Sequence, residues 1–543
     1  MLTYSKQTKV HRKDRPLILI LMVIIWISGA TFFHEPWEPY EPFVVAVVKN
    51  MLTTNSWLVP YINQNIPYLE IQPFYFWLYA LIIKLGHLTN IVNAIRLINS
   101  LLIIVLIGLM GKVGSGLNAF KNGRNVVMIL ISTVGFINNA YQLSPNLVVL
   151  LGFSLYLYAL QQSSQRPGLS GWWLGVSLIL ISLNFTGEFI LIALIILFLL
   201  PLISKNWQFS GYYISLSLGL MVFILIFGSY AWQLNKVDHS FFIDWEHKYT
   251  DIFAFKPFLW WYSLIFYLYT LAWYLVPSFI LVGWTVYKRR KQLFNDKILL
   301  VCVLLTMSLI LCACLSPSQQ EAKIFPIILP IVLLASVEID SVRISIVALM
   351  NWFSICIFGV VTLCIGALYF ALCFGHPIKL LHLAKFYVPQ YQFNFNLWQF
   401  LLALTIMVLW LFMITRKQIR GREMISNWAS GITCGLVMFV SLCMPWFNSM
   451  LSFQDLVKSS EPYLDNKATC IATYETNSIQ SAVWYYYANI RLKQTNNPLQ
   501  TNCKKILLGS EVNQLINYPG WHIIWSSQRP IDTKHYLLLE RDD

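Results

Sequence analysis

Charged side chains are scarce in this chain, and the scarcity limits what it can be. Asp, Glu, Lys and Arg make up 11% of its 543 residues and hydrophobic residues 57%, with a mean hydropathy of +0.61. Soluble globular proteins carry about 25% charged residues, so that class is excluded. Negative charge is the scarcer sign, with 24 Asp and Glu against 38 Lys and Arg and a net charge of +14. No soluble basic domain carries the excess, which argues against nucleic-acid binding. The excess lies in short clusters instead. Lys6, Lys9, Arg12, Lys13 and Arg15 precede the first apolar run; Lys288, Arg289, Arg290, Lys291 and Arg416, Lys417, Arg420, Arg422 sit between later ones. Clusters of this kind mark the cytoplasmic side of a membrane.

Other absences narrow the reading further. No CxxC and no Cys/His ligand spacing occurs, which argues against a structural zinc site. Eight of the ten cysteines fall in apolar runs, where Cys behaves as a small hydrophobe. Cys470 and Cys503 are the pair in polar sequence, and in an extracytoplasmic region they would form a disulfide. No small-residue cleavage site follows the run Pro16–Phe33, so a membrane anchor is expected there and not a cleaved signal. No inverted repeat or pair of broken helices is visible and intramembrane charge is sparse, which disfavours a transporter.

What is present is a series of apolar runs near 16–33, 94–113, 125–141, 147–161, 171–186, 188–204, 210–230, 259–287, 297–316, 324–340, 345–374, 398–415 and 428–446. They predict a polytopic α-helical membrane protein of about thirteen spans. With the N-terminus in the cytoplasm, segment 73–87 must be a juxtamembrane helix, because a span there would put Lys112, Lys121 and Arg124 outside. Residues 1–446 then form a transmembrane domain with a first outer loop at 34–93, and residues 447–543 a small outer α/β domain. In that domain ATCIATYE, KKILLGS, HIIWSS and YLLLERD read as strands, and NSIQSAVWYYYANIR as a helix.

Four outer segments could converge on one cavity: HEPWEPYEP with LEIQP, then LSPN (Leu143–Asn146), DHSFFIDWEHKYTD (Asp238–Asp251) and SPSQQEAKIFP (Ser316–Pro326). Carboxylates beside aromatics at a membrane boundary suit general-base or charge-stabilising work on a sugar or a lipid phosphate. Solvated loop charges with interfacial aromatics are the plainer alternative. His34 with Glu35, Glu38 and Glu41 could hold a divalent cation through oxygen ligands; no other cofactor is expected.

The same segments resemble a motif series. WEPYEP, WLVP and YLEIQPFYFWL are similar to W-x-P-D-E, W-[IL]-V-P and [FY]-E-K-P-P-[LF]-Y-Y-W-L of the bacterial lipid A aminoarabinose transferases and the related protein O-mannosyltransferase superfamily. LSPNLVVLL, FFIDWEH with KPFLWWYS, and SQQEAKIFPIILP are similar to that family's later loops. The resemblance implies a GT-C-like membrane glycosyltransferase with an inverting mechanism. Such an enzyme takes a sugar from an undecaprenyl-phosphate carrier to lipid A, another surface glycan or a protein, on the periplasmic face of the bacterial inner membrane. It implies a catalytic group at Glu41, Glu38, Tyr40 and Asn146. Substrate or carrier contacts are implied at Glu70, Tyr75, His247, Lys248, Lys256, Lys323 and Gln320.

The chain departs from the family where the charges matter. Tyr40 stands for the Asp of D-E, Ile71 for the Lys of E-K, Asn146 for the second-loop Asp, and Gln319-Gln320 for K-R; Glu41 and Glu70 are retained. Two readings follow. In one the working groups have moved, with Glu41 or Glu38 as carboxylate and Lys248, Lys256 or Lys323 meeting the phosphate. In the other the chain has lost its chemistry and binds a polyprenyl lipid or a partner without turnover.

Overall fold

The computed structural model describes residues 17–31, 34–63, 66–117, 122–183, 187–250, 260–316, 320–389, 391–415, 420–464, 470–474, 478–495, 501–511 and 520–542. Helix α1 (Leu17–Thr31) leads to a long first loop. This loop holds α2 (Glu41–Thr54), a short antiparallel ribbon of β1 (Tyr61–Asn63) and β2 (Ile66–Pro67), and α3 (Pro73–Leu85). Both loop helices open with a proline in the first turn, where its missing N–H costs no intrahelical bond. Glu41 in the first turn of α2 also complements the helix dipole. The helix stops at Asn55, which takes the left-handed conformation at φ 56°.

A helical bundle follows. It runs through α4 (Ile91–Leu117), α5 (Asn122–Ser132), α6 (Val134–Tyr141), α7 (Pro145–Gln162), α8 (Pro167–Ser182), α9 (Glu188–Ile203) and α10 (Ser210–Val237). A short α11 (His239–Thr250) precedes α12 (Trp260–Tyr274), α13 (Ser278–Arg289), α14 (Lys297–Leu315) and α15 (Ile328–Val337). The bundle closes with α16 (Ile344–Phe374), α17 (Ile378–Tyr387), α18 (Leu397–Thr415) and α19 (Arg420–Leu451). Among the described residues six helices are long and apolar enough to cross a membrane, and seven if one bent pair counts as a span. Several other expected spans are shorter apolar helices, among them α8 and α9.

Two expected spans are broken. The run 259–287 becomes α12 and α13, which meet at 105°. Pro277 disfavours helical backbone at the residue before it and removes a helix donor, which ends α12 in mid-run. The run 125–141 is interrupted at Thr133, whose backbone is extended (φ −79°, ψ 122°). Segment 73–87 forms α3 as a separate short helix, and its Pro73 start and Gly86 end match the punctuation in the sequence.

The principal core lies between the bundle helices, around Trp26, Phe136, Tyr156 and Leu305. A second core joins α2, α3 and the start of α4 to the C-terminal part, through Val44, Val48, Tyr75, Tyr79, Ile95, Ala482 and Tyr485. Full burial of each such aliphatic side chain contributes about 1.5–3 kcal/mol, so the first loop is a packed body. After α19 come α20 (Gln454–Ser460), β3 (Ile471–Tyr474), α21 (Ser478–Tyr487), β4 (Leu492–Thr495), β5 (Lys505–Glu511), β6 (Trp521–Gln528) and β7 (Lys534–Arg541). The five strands order as β4-β3-β5-β7-β6, parallel across β4-β3-β5 and antiparallel beyond. Strand β4 was not expected: LKQT lacks the apolar alternation that marks a strand. Cys470 and Cys503, placed just before the paired strands β3 and β5, form a disulfide with Cα atoms 4.9 Å apart.

Candidate functional site

Glu41 starts α2 and turns inward, leaving the residue 3% exposed. Its Oε1 accepts the Leu143 backbone N–H at 3.1 Å, and its Oε2 accepts the Trp37 N–H at 3.1 Å. The Arg96 guanidinium from α4 donates to the same Oε2 at 3.3 Å. Burial pushes the Glu41 carboxyl up from its ordinary range, against the opposing pull of Arg96 and the two backbone donors. Arg96 Nη2 also lies 2.7 Å from His34 Nδ1. A guanidinium only donates, so this contact requires a neutral His34 with Nδ1 as the acceptor. Burial and Arg96 hold the His34 pKa well below its ordinary value, which agrees. The 3.4 Å approach of His34 to Glu41 is therefore not an ion pair.

Four polar atoms on these segments are buried with no hydrogen-bond partner among the described residues: Arg96 Nε and Nη1, Ser144 Oγ and Asn146 Oδ1. Leaving a buried polar group unsatisfied costs about 1–3 kcal/mol. Arg96, Glu41 and the start of α7 are thus a costly polar cluster held inside the fold. Asn146, at the start of α7, donates to Asn139 Oδ1 at 2.8 Å, and Asn139 donates to the Tyr274 hydroxyl at 2.5 Å. Gly135 makes this possible, since a Cβ there would strike the Tyr274 ring.

A second group of side chains is more open. Lys248 on α11 donates to the Glu70 carboxylate, and the two side chains are 35% and 56% exposed. Tyr40 lies close enough that burial and the Glu70 charge both raise its pKa. Tyr68 is pushed up by burial, by Glu70 and by Tyr40. Tyr40, Tyr68, Glu70 and Lys248 therefore form one neighbourhood. Gln72 accepts from Trp245 Nε1 at 2.6 Å and fixes α11 against the first loop.

The remaining expected residues fall elsewhere. Lys323 donates to Glu188 Oε1 at 2.7 Å and to Ser316 Oγ, with Glu188 5% exposed. Gln320 is exposed, and its backbone N–H donates to the Tyr267 hydroxyl at 3.4 Å. Tyr75 is fully buried and accepts from Tyr79 at 3.3 Å, inside the second core. His247 is exposed on α11. Lys256 lies outside the described residues. The first outer segment is joined directly to the second and third, by Glu41 to Leu143 and Glu70 to Lys248, and the third and fourth both meet the start of α9, through Tyr249 to Gly187 and Lys323 to Glu188.

The carboxylates of the expected cation site diverge. Glu35 accepts from Tyr487, Glu38 from Arg529 and Glu41 from Arg96. Among the described residues no group of three or more His, Cys, Asp or Glu could hold a metal ion. Glu38 is thereby an anchor: its Oε2 meets Arg529 Nη2 at 2.7 Å, on the turn between β6 and β7.

The sequence reading missed Arg96 and Arg529. Arg96 carried a usable signal, since a charged residue inside an apolar run marks a functional or paired position. Arg529 sits in ordinary polar turn sequence and carried none.

No protein-family model and no curated protein sequence matches the chain. Solved structures do match it in fold. ArnT from Cupriavidus metallidurans bound to undecaprenyl phosphate superposes with a TM-score of 0.66 at 12% identity, over 96% of this chain and 97% of that one. The same protein in the apo state gives 0.64 over the same shares. AglB, an oligosaccharyltransferase from Archaeoglobus fulgidus in complex with an inhibitory peptide and a dolichol-phosphate, gives 0.43 at 9% identity over 90% and 69%. The ArnT likeness is one of fold, and it runs end to end.

Proposed function

We propose that this chain is a bacterial inner-membrane glycosyltransferase that moves a sugar from undecaprenyl phosphate to an acceptor on the periplasmic side, either lipid A, another surface glycan or a protein. The observation that carries the reading is the whole-chain superposition on ArnT bound to undecaprenyl phosphate. In this reading the chain crosses the membrane about thirteen times. The N-terminus is cytoplasmic, and residues 1–446 and 447–543 are the membrane and periplasmic parts.

The roles follow from exposure. Glu41 has both oxygens occupied by Arg96 and two backbone donors, so it positions the first loop and does not meet the acceptor. Glu70 is the accessible carboxylate, beside Tyr40 where the family has its acid and beside Lys248. An acceptor hydroxyl attacks the sugar C1 from the face opposite the phosphate, with inversion. The C1–O bond breaks with its electron pair going to the phosphate, and the hydroxyl proton passes to Glu70. Lys248 orients the Glu70 carboxylate on the face of attack, and on the opposite face one of the other implied cations, Lys256 or Lys323, meets the departing phosphate, where positive charge stabilises the developing anion.

A second reading rests on a specific observation: the Asp position is Tyr40, and Glu41 is sealed in. A chain so altered could keep the polyprenyl lipid without turning it over. Purified protein in lipid nanodiscs, offered a panel of undecaprenyl-phosphate sugars with lipid A and envelope glycans, separates the two. Carrier-dependent transfer that is lost in Glu70→Gln at unchanged thermal stability supports the first. Saturable undecaprenyl-phosphate binding without transfer supports the second. Neither transfer nor binding overturns both.

A further inference from the structure

A cavity of about 1030 Å³ lies between the C-terminal sheet domain, the end of α19 and the segment that joins α17 to α18. Its wall is about half polar and almost uncharged: five side-chain amides, four serines and four aromatic rings beside apolar residues, with Asp455 and Arg529 as the charged residues. Arg529 is already committed. Its Nε and Nη2 donate to Asp532, Nη2 also to Glu38, and Nη1 to the Leu451 carbonyl at 2.9 Å. An anion in the cavity would therefore meet Asp455 without a free cation, which argues against phosphate. Gln392, Asn394, Gln399 and Asp455 have side chains with no hydrogen-bond partner among the described residues, so their donors and acceptors are open to the cavity.

We infer that this cavity binds the sugar part of the acceptor, a neutral, hydroxyl-rich saccharide of two or more rings. The inference rests on the transferase reading above and deepens it. Small-molecule sites occupy about 300–1,000 Å³, so this one lies at the upper end and leaves room for more than one sugar ring. Amides and hydroxyls supply both donors and acceptors, as a polyol needs, and Tyr387 and Tyr391 offer amphipathic faces for the rings. Phe386 and Phe395 in the lining are 79% and 59% exposed, in the manner of an interfacial belt. A glycolipid anchored in the bilayer can thus reach the cavity with its headgroup. Arg529 in the wall holds Glu38, three residues before Glu41, so a bound saccharide borders the first loop.

The test is saturation-transfer NMR on the full chain in nanodiscs. The probes are di-N-acetylglucosamine, maltotriose, inorganic phosphate and, in a second set of discs, a dihexosyl diacylglycerol. Two variants accompany wild type: Ser459→Trp, which fills the cavity from an exposed position, and Gln392→Ala/Asp455→Ala, which strips its polar wall. Saturable saccharide binding, weakened about tenfold in both variants and untouched by phosphate, is the expected result (about 1.4 kcal/mol by the tenfold conversion). Tighter binding of the dihexosyl lipid than of the free sugars identifies a membrane glycolipid as the source, and equal binding a free glycan. No binding of any saccharide or glycolipid, binding indifferent to both variants, or competition by phosphate overturns the inference. Undecaprenyl-phosphate binding measured on the same samples keeps the two proposals apart. If it persists while saccharide binding is absent, only the cavity assignment fails. If saccharide binds but no carrier does, the transferase reading fails.

Discussion

Glu41→Gln is expected to damage the protein more than Arg96→Met, and the double variant less than either. The Arg96 side chain is 2% exposed and has Glu41 as its counter-charge. Removing one member of a buried pair leaves an uncompensated charge and costs about 3–5 kcal/mol. The reverse deletion is milder for two reasons. Glu41 keeps the Trp37 and Leu143 N–H donors. Arg96→Met also removes Nε and Nη1, two donors that are buried without partners, each a cost of about 1–3 kcal/mol. Replacing both charges at once is neutral or stabilising in comparable buried pairs, by about 1–4 kcal/mol. The assay is thermal unfolding in detergent with a thiol-reactive dye, which reports release of the buried Cys302, Cys434 and Cys443. The expected order of midpoints is wild type close to the double variant, then Arg96→Met, then Glu41→Gln. Midpoint losses that simply add in the double variant, or a Glu41→Gln protein as stable as wild type, would refute the reasoning.

Three other expectations are open to direct measurement. The folded state holds His34 neutral while the unfolded chain takes a proton near pH 6.5, so the His34 contribution is fully present above that value and lost as pH falls below it. His34→Asn should flatten the slope of thermal stability between pH 5 and about 7, and an unchanged slope would contradict the neutral assignment. The half-exposed Glu70–Lys248 pair is worth about 0–1 kcal/mol, so Glu70→Gln and Lys248→Met should keep the wild-type midpoint while abolishing transfer. A fall in midpoint matching the loss of transfer would make the pair structural. Reducing Cys470–Cys503, which closes a loop of 33 residues, should cost the C-terminal domain about 2–4 kcal/mol. Limited proteolysis within residues 452–543, with and without reductant, checks it.

The membrane fold was legible because apolar runs of bilayer length are a strong signal, and the punctuation by Pro73 and Gly86 marked α3 as well. Its breaks were not, although Pro277 stood in plain view: a run that stays apolar on both sides of a bend looks continuous to any reading of hydropathy. The site was legible in its segments and not in its pairings. WEPYEP and LEIQP pointed to Glu41 and Glu70, but both look alike as loop carboxylates until packing seals one and leaves the other half in solvent. Burial of that kind is decided by α4, where Arg96 waits inside an apolar stretch, and by a domain more than 400 residues further on. Arg96 stands out as a charge in an apolar run, but local sequence does not say which carboxylate it meets. Lys248 is the converse case, a cation far along the chain that ends beside Glu70.

The first loop is held from the far end of the protein. Glu35 accepts from Tyr487, Glu38 from Arg529, Lys49 donates to the Tyr485 and Tyr486 carbonyls, and Asn63 donates to the Leu492 carbonyl. During synthesis the loop therefore emerges more than 400 residues before its partners do. Until they emerge it must wait, with polar groups destined for burial still hydrated. A ribosome that stalls or terminates before Arg529 leaves a helical bundle already inserted and a loop that cannot settle. Truncations that remove Arg529 should thus be felt first at Glu38, 491 residues earlier in the chain.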